Sequence, residues 1–192
     1  LIAHTTLWAY SNLGCPGYEK PGYYLAHCTS PHYGDYEHGA YYHAFEPAAV
    51  RNLREAEVLL LGNSRVQFGY STVSVQNFFQ AEGIRYHLIG FGYADGLLFE
   101  SELIKRLGLK PRFLFIDVSP FFKPFLSEPA RALMGRASSS PVPGVIQQAL
   151  AWSDTAKKWA FNRLHPKLCR LLPDRCSVSA RAIYRRSEDG AW

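Results

Sequence analysis

The sequence contains no internal repeat and no long low-complexity segment. It also has no Cys-x-x-Cys, and no histidine spacing turns its four cysteines into a zinc site. The absence of Gly-Lys-Ser/Thr excludes a phosphate-cradling P-loop. The opening apolar stretch falls short of the roughly 20 residues a membrane-spanning helix requires. Basic residues are not gathered with stacking aromatics or with any known nucleic-acid reading element, so no nucleic-acid partner is expected. Neither a metal nor a cofactor is called for by any residue cluster.

What is present is a chain of 192 residues, 47% hydrophobic and 15% aromatic, which is enough to bury one core and too apolar for a disordered segment. The net charge is +5, and much of the excess falls late, at Lys157, Lys158, Arg163, Lys167, Arg170, Arg175, Arg181, Arg185 and Arg186. This reads as a solvated basic helix and tail, with an anionic polymer or membrane surface as the alternative. Cys15 and Cys28, then Cys169 and Cys176, suit two short-loop disulfides in an oxidising compartment; four free thiols remain the other reading, and sequence does not fix the pairing. The chain opens Leu1-Ile2-Ala3-His4 without an initiator methionine, so a signal or membrane-tethering segment ahead of it is expected.

Residues 1–46 carry many Gly, Pro, Tyr and His with no sustained period, and are expected to form an irregular lead-in to an α/β domain over 47–192. Pro47 suits the first turn of a short helix reaching about Glu57. Val58 to Leu61 is a continuous apolar run stopped by Gly62, the pattern of a strand buried on both faces. Ser71 or Thr72 can cap a helix with an apolar face of Val75, Phe78 and Phe79, ended by Gly83. A weaker strand follows over Ile84–Ile89. Asp95 can then cap a helix with Phe99, Leu103, Ile104 and Leu107 on one face and Gly108 at its end. Glu100 and Glu102, on different sides of that helix, are expected to be surface charges. Phe113 to Val118 is the third strand. Ser119 to Gly144 reads as a lid or loop. From Val145 a basic helical segment places Ala149, Trp152, Ala156, Trp159, Ala160 and Arg163 on one stripe, whose aromatics are expected in the core. The β-α-β-α-β order predicts parallel strands with right-handed crossovers, and so a three-layer α/β/α sandwich. Working groups in such sheets collect at the carboxyl ends of the strands, here Gly62-Asn63-Ser64-Arg65, Gly90-Phe91-Gly92 and Asp117-Val118-Ser119.

A serine in a tight turn just past a buried parallel strand presents its hydroxyl at the sheet rim, within reach of a base and of backbone N–H groups. Val66 stands where the Gly-x-Ser-x-Gly elbow of α/β-hydrolases requires glycine. The segment instead resembles block I of the SGNH (GDSL-like) hydrolases, in the branch reading Gly-x-Ser-Arg. The resemblance runs on through Val66-Gln67-Phe68-Gly69-Tyr70, the glycine-rich turn and the Lys110–Asp117 approach to the third strand. It implies Ser64 as nucleophile with its own N–H aimed at the oxyanion. It also implies Gly92, with Gly90 as rival, as the second N–H donor. The family's Gly-x-Asn-Asp is replaced by Asp117-Val118-Ser119-Pro120, which leaves Asn63 or Ser119 as substitute polar support. The implied fold is SGNH-hydrolase or flavodoxin-like. Related branches act on O-acetyl groups of cell-surface polysaccharides, so an acylated carbohydrate or similar ester is the implied substrate, and an extracytoplasmic location the implied setting.

The base is the open point. The family's Asp-x-x-His near the C-terminus is absent after Ser64, where only His87 and His165 occur. One expectation places the catalytic histidine beyond Trp192. The other uses Asp35-Tyr36-Glu37-His38, since some polysaccharide-acetylation relatives carry Asp and His ahead of the serine. Two further readings stay open: a catalytically degenerate scaffold for polysaccharide binding or assembly, and a dinucleotide-binding domain built on Gly90-Phe91-Gly92 with Asp117 as ribose acid.

Overall fold

The computed structural model describes residues 15, 21–30, 33–92, 95–118, 125–136, 141–171, 176 and 180–192. Its centre is a parallel sheet of β3 (Val58–Asn63), β4 (Tyr86–Phe91) and β5 (Phe113–Ile116), in the order β4-β3-β5. The apolar run Val58–Leu61 therefore becomes the middle strand, buried along its whole length. Side chains alternate across it. Leu59 and Leu61 join Ile89, Phe91, Phe99 and Leu103 on one face, while Val58 and Leu60 join Val66, Tyr86 and Leu88 on the other.

Helices cover both faces, giving the expected α/β/α layering. The first face carries α2 (Pro47–Glu55) and α5 (Leu97–Leu107); the second carries α3 (Ser64–Tyr70) and α4 (Val73–Ala81). Their boundaries follow local chemistry. Pro47 opens α2, Thr72 Oγ1 accepts from Val75 N–H at 3.3 Å to start α4, and Gly83 and Gly108 turn the chain out of α4 and α5 with φ of +65° and +64°. Asp95 does not cap α5; Gly96 holds that position and the Asp95 carboxylate is used elsewhere. Phe78 also leaves the expected face and is exposed.

The third strand differs most from expectation. Phe113 and Phe115 of β5 are 57% and 59% exposed, because β5 is the sheet's edge and the described residues leave that face uncovered, while Ile116 packs against the main core. The opposite edge is closed: Leu88 N–H of β4 donates to Asp189 O at 2.7 Å, and Leu88 O accepts from Arg185.

The lead-in is more regular than its composition suggested. It holds β1 (Tyr23–Cys28), β2 (Gly34–Asp35) and α1 (Glu37–Tyr42). β1 is the middle of a second, antiparallel sheet, between β2 and β6 (Ala182–Arg186). The lid segment contains a short helix, α6 (Glu128–Leu133), capped by Ser127; residues 119–124 and 137–140 lie outside the described residues. A 28-residue helix, α7 (Gly144–Leu171), follows. Its Trp152 and Trp159 stripe lies outside the core, partly exposed with both rings against Phe45, because Gln147, Thr155, Phe161 and His165 take the inner side. Disulfides join Cys15 to Cys28 and Cys169 to Cys176, which marks a chain that matures in an oxidising environment. Among the described residues, no helix is long and apolar enough to cross a membrane.

Candidate active site

Ser64 is the first residue of α3, directly after the buried strand β3. The turn is set by its neighbours. Asn63 Oδ1 accepts from Arg65 N–H at 2.9 Å and so caps the helix, which gives Asn63 a structural use. Gly62 is needed for close approach: a Cβ there would lie 2.3 Å from Val66 Cγ2 and 3.2 Å from Asp117 Cβ. Gly90, paired with Gly62 across the sheet, serves the same purpose, since a Cβ would lie 2.9 Å from both Asn63 O and Gln67 Cγ. Buried Gln67 donates through Nε2 to Gly90 O at 2.9 Å and pins α3 to the sheet. Gly90 therefore acts in packing. Ser64 itself is partly exposed, and its hydroxyl makes no hydrogen bond among the described residues. A cavity of about 390 Å³ lies between α3 and β5, walled by Leu60, Leu61, Arg65, Val66, Phe115 and Val118; Ser64 does not line it.

Gly92 follows β4, and its N–H donates to Glu37 Oε1 at 3.2 Å. Glu37 Oε2 accepts from Arg185 Nη1 at 2.9 Å and from Trp192 Nε1 at 3.1 Å. Arg185 is wholly buried; it donates through Nε to Gly190 O at 3.0 Å and through Nη2 to Leu88 O at 2.7 Å, and lies over the rings of Tyr41 and Phe91. The donor expected to face an oxyanion thus already faces a carboxylate.

Asp35 and His38 do form a pair, with Nδ1 and Asp35 Oδ1 2.8 Å apart. The other ring nitrogen, Nε2, bonds to Asp95 Oδ2, not to Ser64. Asp95 also accepts from Ser127 N–H at 2.6 Å and Ser127 Oγ at 2.8 Å, so it ties the loop after β4 to the start of α6. The imidazole packs on Phe91 and Phe99, with ring centroids 4.7 and 5.0 Å away. Burial by itself would push His38 down, but Asp35 and Asp95 outweigh it and hold the imidazole well above its ordinary value. The ring is held between two carboxylates, which favour its charged form. Phe91 is the register partner of Asn63, so the His38 network stands at the same end of the sheet as Ser64.

Glu100 is the further departure. Expected on the surface, it is fully buried with neither carboxyl oxygen hydrogen-bonded. Burial pushes its carboxyl well above the usual range, and the charge on Asp95 adds to the shift, which favours the neutral acid. Glu37, Asp95 and Arg185 were missed as site residues. Glu37 lay inside the Asp-x-x-His motif and Asp95 inside the glycine-rich turn, whereas nothing local distinguished Arg185 from the rest of a basic tail. Ser119 lies outside the described residues.

Among the described residues, two clusters bring metal-binding residue types together. Asp35, Glu37 and His38 offer ligand atoms within 4.8 Å of one another, but Arg185 is bound to Glu37 and would oppose a cation there. In the second, His165, Cys169 and Cys176, both sulfurs are spent in the disulfide. The fold and the serine turn together define an α/β protein with a partly exposed serine at the carboxyl end of a central parallel strand. No protein-family model, curated protein or solved structure matches the chain.

Proposed function

We propose that the chain is a serine ester hydrolase or acyltransferase in which Ser64 attacks an ester carbonyl. One observation carries the reading: a partly exposed serine, its hydroxyl unengaged among the described residues, stands between the fully buried central strand and a capped helix. In that position the helix N-terminus favours the negative charge that develops on the carbonyl oxygen. Asp35 and His38, whose ring packs on Phe91 at the same end of the sheet, are the base pair of this reading. For His38 to accept the serine proton, Nε2 must exchange Asp95 for Ser64 and arrive neutral. The substrate class, an acylated carbohydrate or similar ester, rests on the SGNH resemblance of Gly62-Asn63-Ser64-Arg65.

A fluorophosphonate probe and p-nitrophenyl acetate test the reading. Labelling and turnover that vanish in Ser64→Ala support it, and an unlabelled Ser64 in folded protein rules it out.

A degenerate scaffold without turnover is favoured by a different observation. Both the Gly92 N–H and His38 Nε2 are already bound to carboxylates. It predicts saturable binding of acylated oligosaccharide that is unchanged in Ser64→Ala. The dinucleotide reading gains no support, because Glu37 holds the Gly92 N–H that a pyrophosphate would need.

A further inference from the structure

Helix α7 presents an unusual outer side. Val145, Leu150 and Trp152 are 72%, 62% and 53% exposed, and Ile146, Trp159, Leu164 and Leu171 are exposed as well. At about 3.6 residues per turn these positions fall on one half of the helix, together with Lys157, Arg163, Lys167 and Arg170. That half carries no acid. The helix's only carboxylate, Asp154, sits at the rim and pairs with Lys158, whose Nζ also reaches Asp35 O. Arg163 is partly neutralised by Glu46 at 2.9 Å; Lys157 and Lys167 project as exposed cations.

A solvated helix face ordinarily mixes both signs of charge and few large apolar groups. A helical protein partner would need an uninterrupted apolar stripe, and a second copy of α7 would set like charges against each other. Exposed tryptophan and aliphatic side chains interleaved with lysine and arginine match a different medium. At a lipid interface the rings and branched chains enter the boundary between headgroups and acyl chains, while the cations stay among lipid phosphates.

We propose that the outer side of α7 is a peripheral docking surface for an anionic lipid membrane. Val145, Leu150 and Trp152 enter the interface, and Lys157 and Lys167 meet the headgroup phosphates. The whole chain thereby lies along a membrane surface with no spanning segment of its own in this region. The inference is independent of any chemistry at Ser64.

Co-sedimentation of the full chain with phosphatidylcholine vesicles, with and without about 30 mol% phosphatidylglycerol, tests it. The protein is expected to pellet with the anionic vesicles only and to be released by high salt. Lys157→Gln/Lys167→Gln is expected to weaken that association roughly 30-fold. Val145→Ala/Leu150→Ala should weaken it as well while leaving the thermal midpoint unchanged, since both side chains are largely exposed. Three results overturn the proposal: no pelleting with anionic vesicles, equal binding to both compositions, or a stable dimer that Val145→Ala/Leu150→Ala dissociates. The last would assign the surface to a second copy.

Discussion

Replacing Arg185 by methionine is expected to destabilise the fold by about 3–5 kcal/mol, the usual penalty for breaking a buried ion pair from one side. The magnitude follows from what the guanidinium holds. Its removal leaves the Glu37 carboxylate buried, with only the Gly92 and Trp192 N–H groups for partners. It also strips the Leu88 and Gly190 carbonyls of a donor, at about 1 kcal/mol each. Glu37→Gln on top of Arg185→Met removes the stranded charge but restores neither carbonyl. The double variant should therefore recover roughly half of the loss; because Glu37→Gln alone would strand the buried Arg185 charge, the coupling between these two residues, separated by most of the chain, should exceed about 2 kcal/mol. Urea unfolding of the four proteins in the cycle, read at constant m-value, gives the numbers directly. A single-variant penalty below about 1 kcal/mol, or strict additivity, would mean that Arg185 is solvated and that the ion pair does not organise this end of the sheet.

Other outcomes follow from the same contacts. Gly62→Ala should cost about 1–3 kcal/mol through its collision with Val66, and Val66→Ala in the same chain should relieve part of it, as thermal midpoints would reveal. Both Glu100 and His38 have folded-state values raised above their ordinary ones, so the folded chain holds their protons more tightly than the unfolded chain does. Stability should accordingly fall as pH rises above 4.5 through Glu100 and above 6.5 through His38. Glu100→Gln should therefore gain on the parent protein progressively from pH 5 to pH 8; a constant difference across that range would contradict a neutral Glu100. Removing the Cys15–Cys28 bridge by paired alanine substitutions should cost about 3 kcal/mol, and removing Cys169–Cys176 about 2.5 kcal/mol, by loop-closure entropy.

The legible parts of the fold were those written locally. Val58–Leu61 announced a doubly buried strand, and Gly83, Gly108, Pro47 and Thr72 marked helix boundaries that the chain observes. The second sheet was not legible, because β1 pairs with β6 across most of the sequence and β1 is largely buried, with no alternation to read. Arg185 and Arg186 looked like tail residues for the same reason: the groups that pay for burying a guanidinium are supplied by distant segments. On α7 the period fixed a stripe but not its direction. Apolar residues line both sides of that helix, Phe161 and Ala151 inward and Leu150 and Trp152 outward. In the site, Asp35-Tyr36-Glu37-His38 was legible as a motif, whereas the capture of Nε2 by Asp95 and of Gly92 by Glu37 depends on side chains that meet only in the folded state.

The closure of the β4 edge by Arg185 and Asp189 also has a consequence for biosynthesis. The ribosome completes Phe91 roughly 100 residues before it reaches Asp189, so at about 5–20 residues per second the nascent sheet waits on the order of 5–20 s for its edge to be covered. During that interval the apolar strand Tyr86–Phe91 presents open backbone groups to any neighbouring chain. Yield in a cell should therefore depend on how quickly translation runs through the stretch between β4 and β6, and on whether a chaperone shields the strand meanwhile.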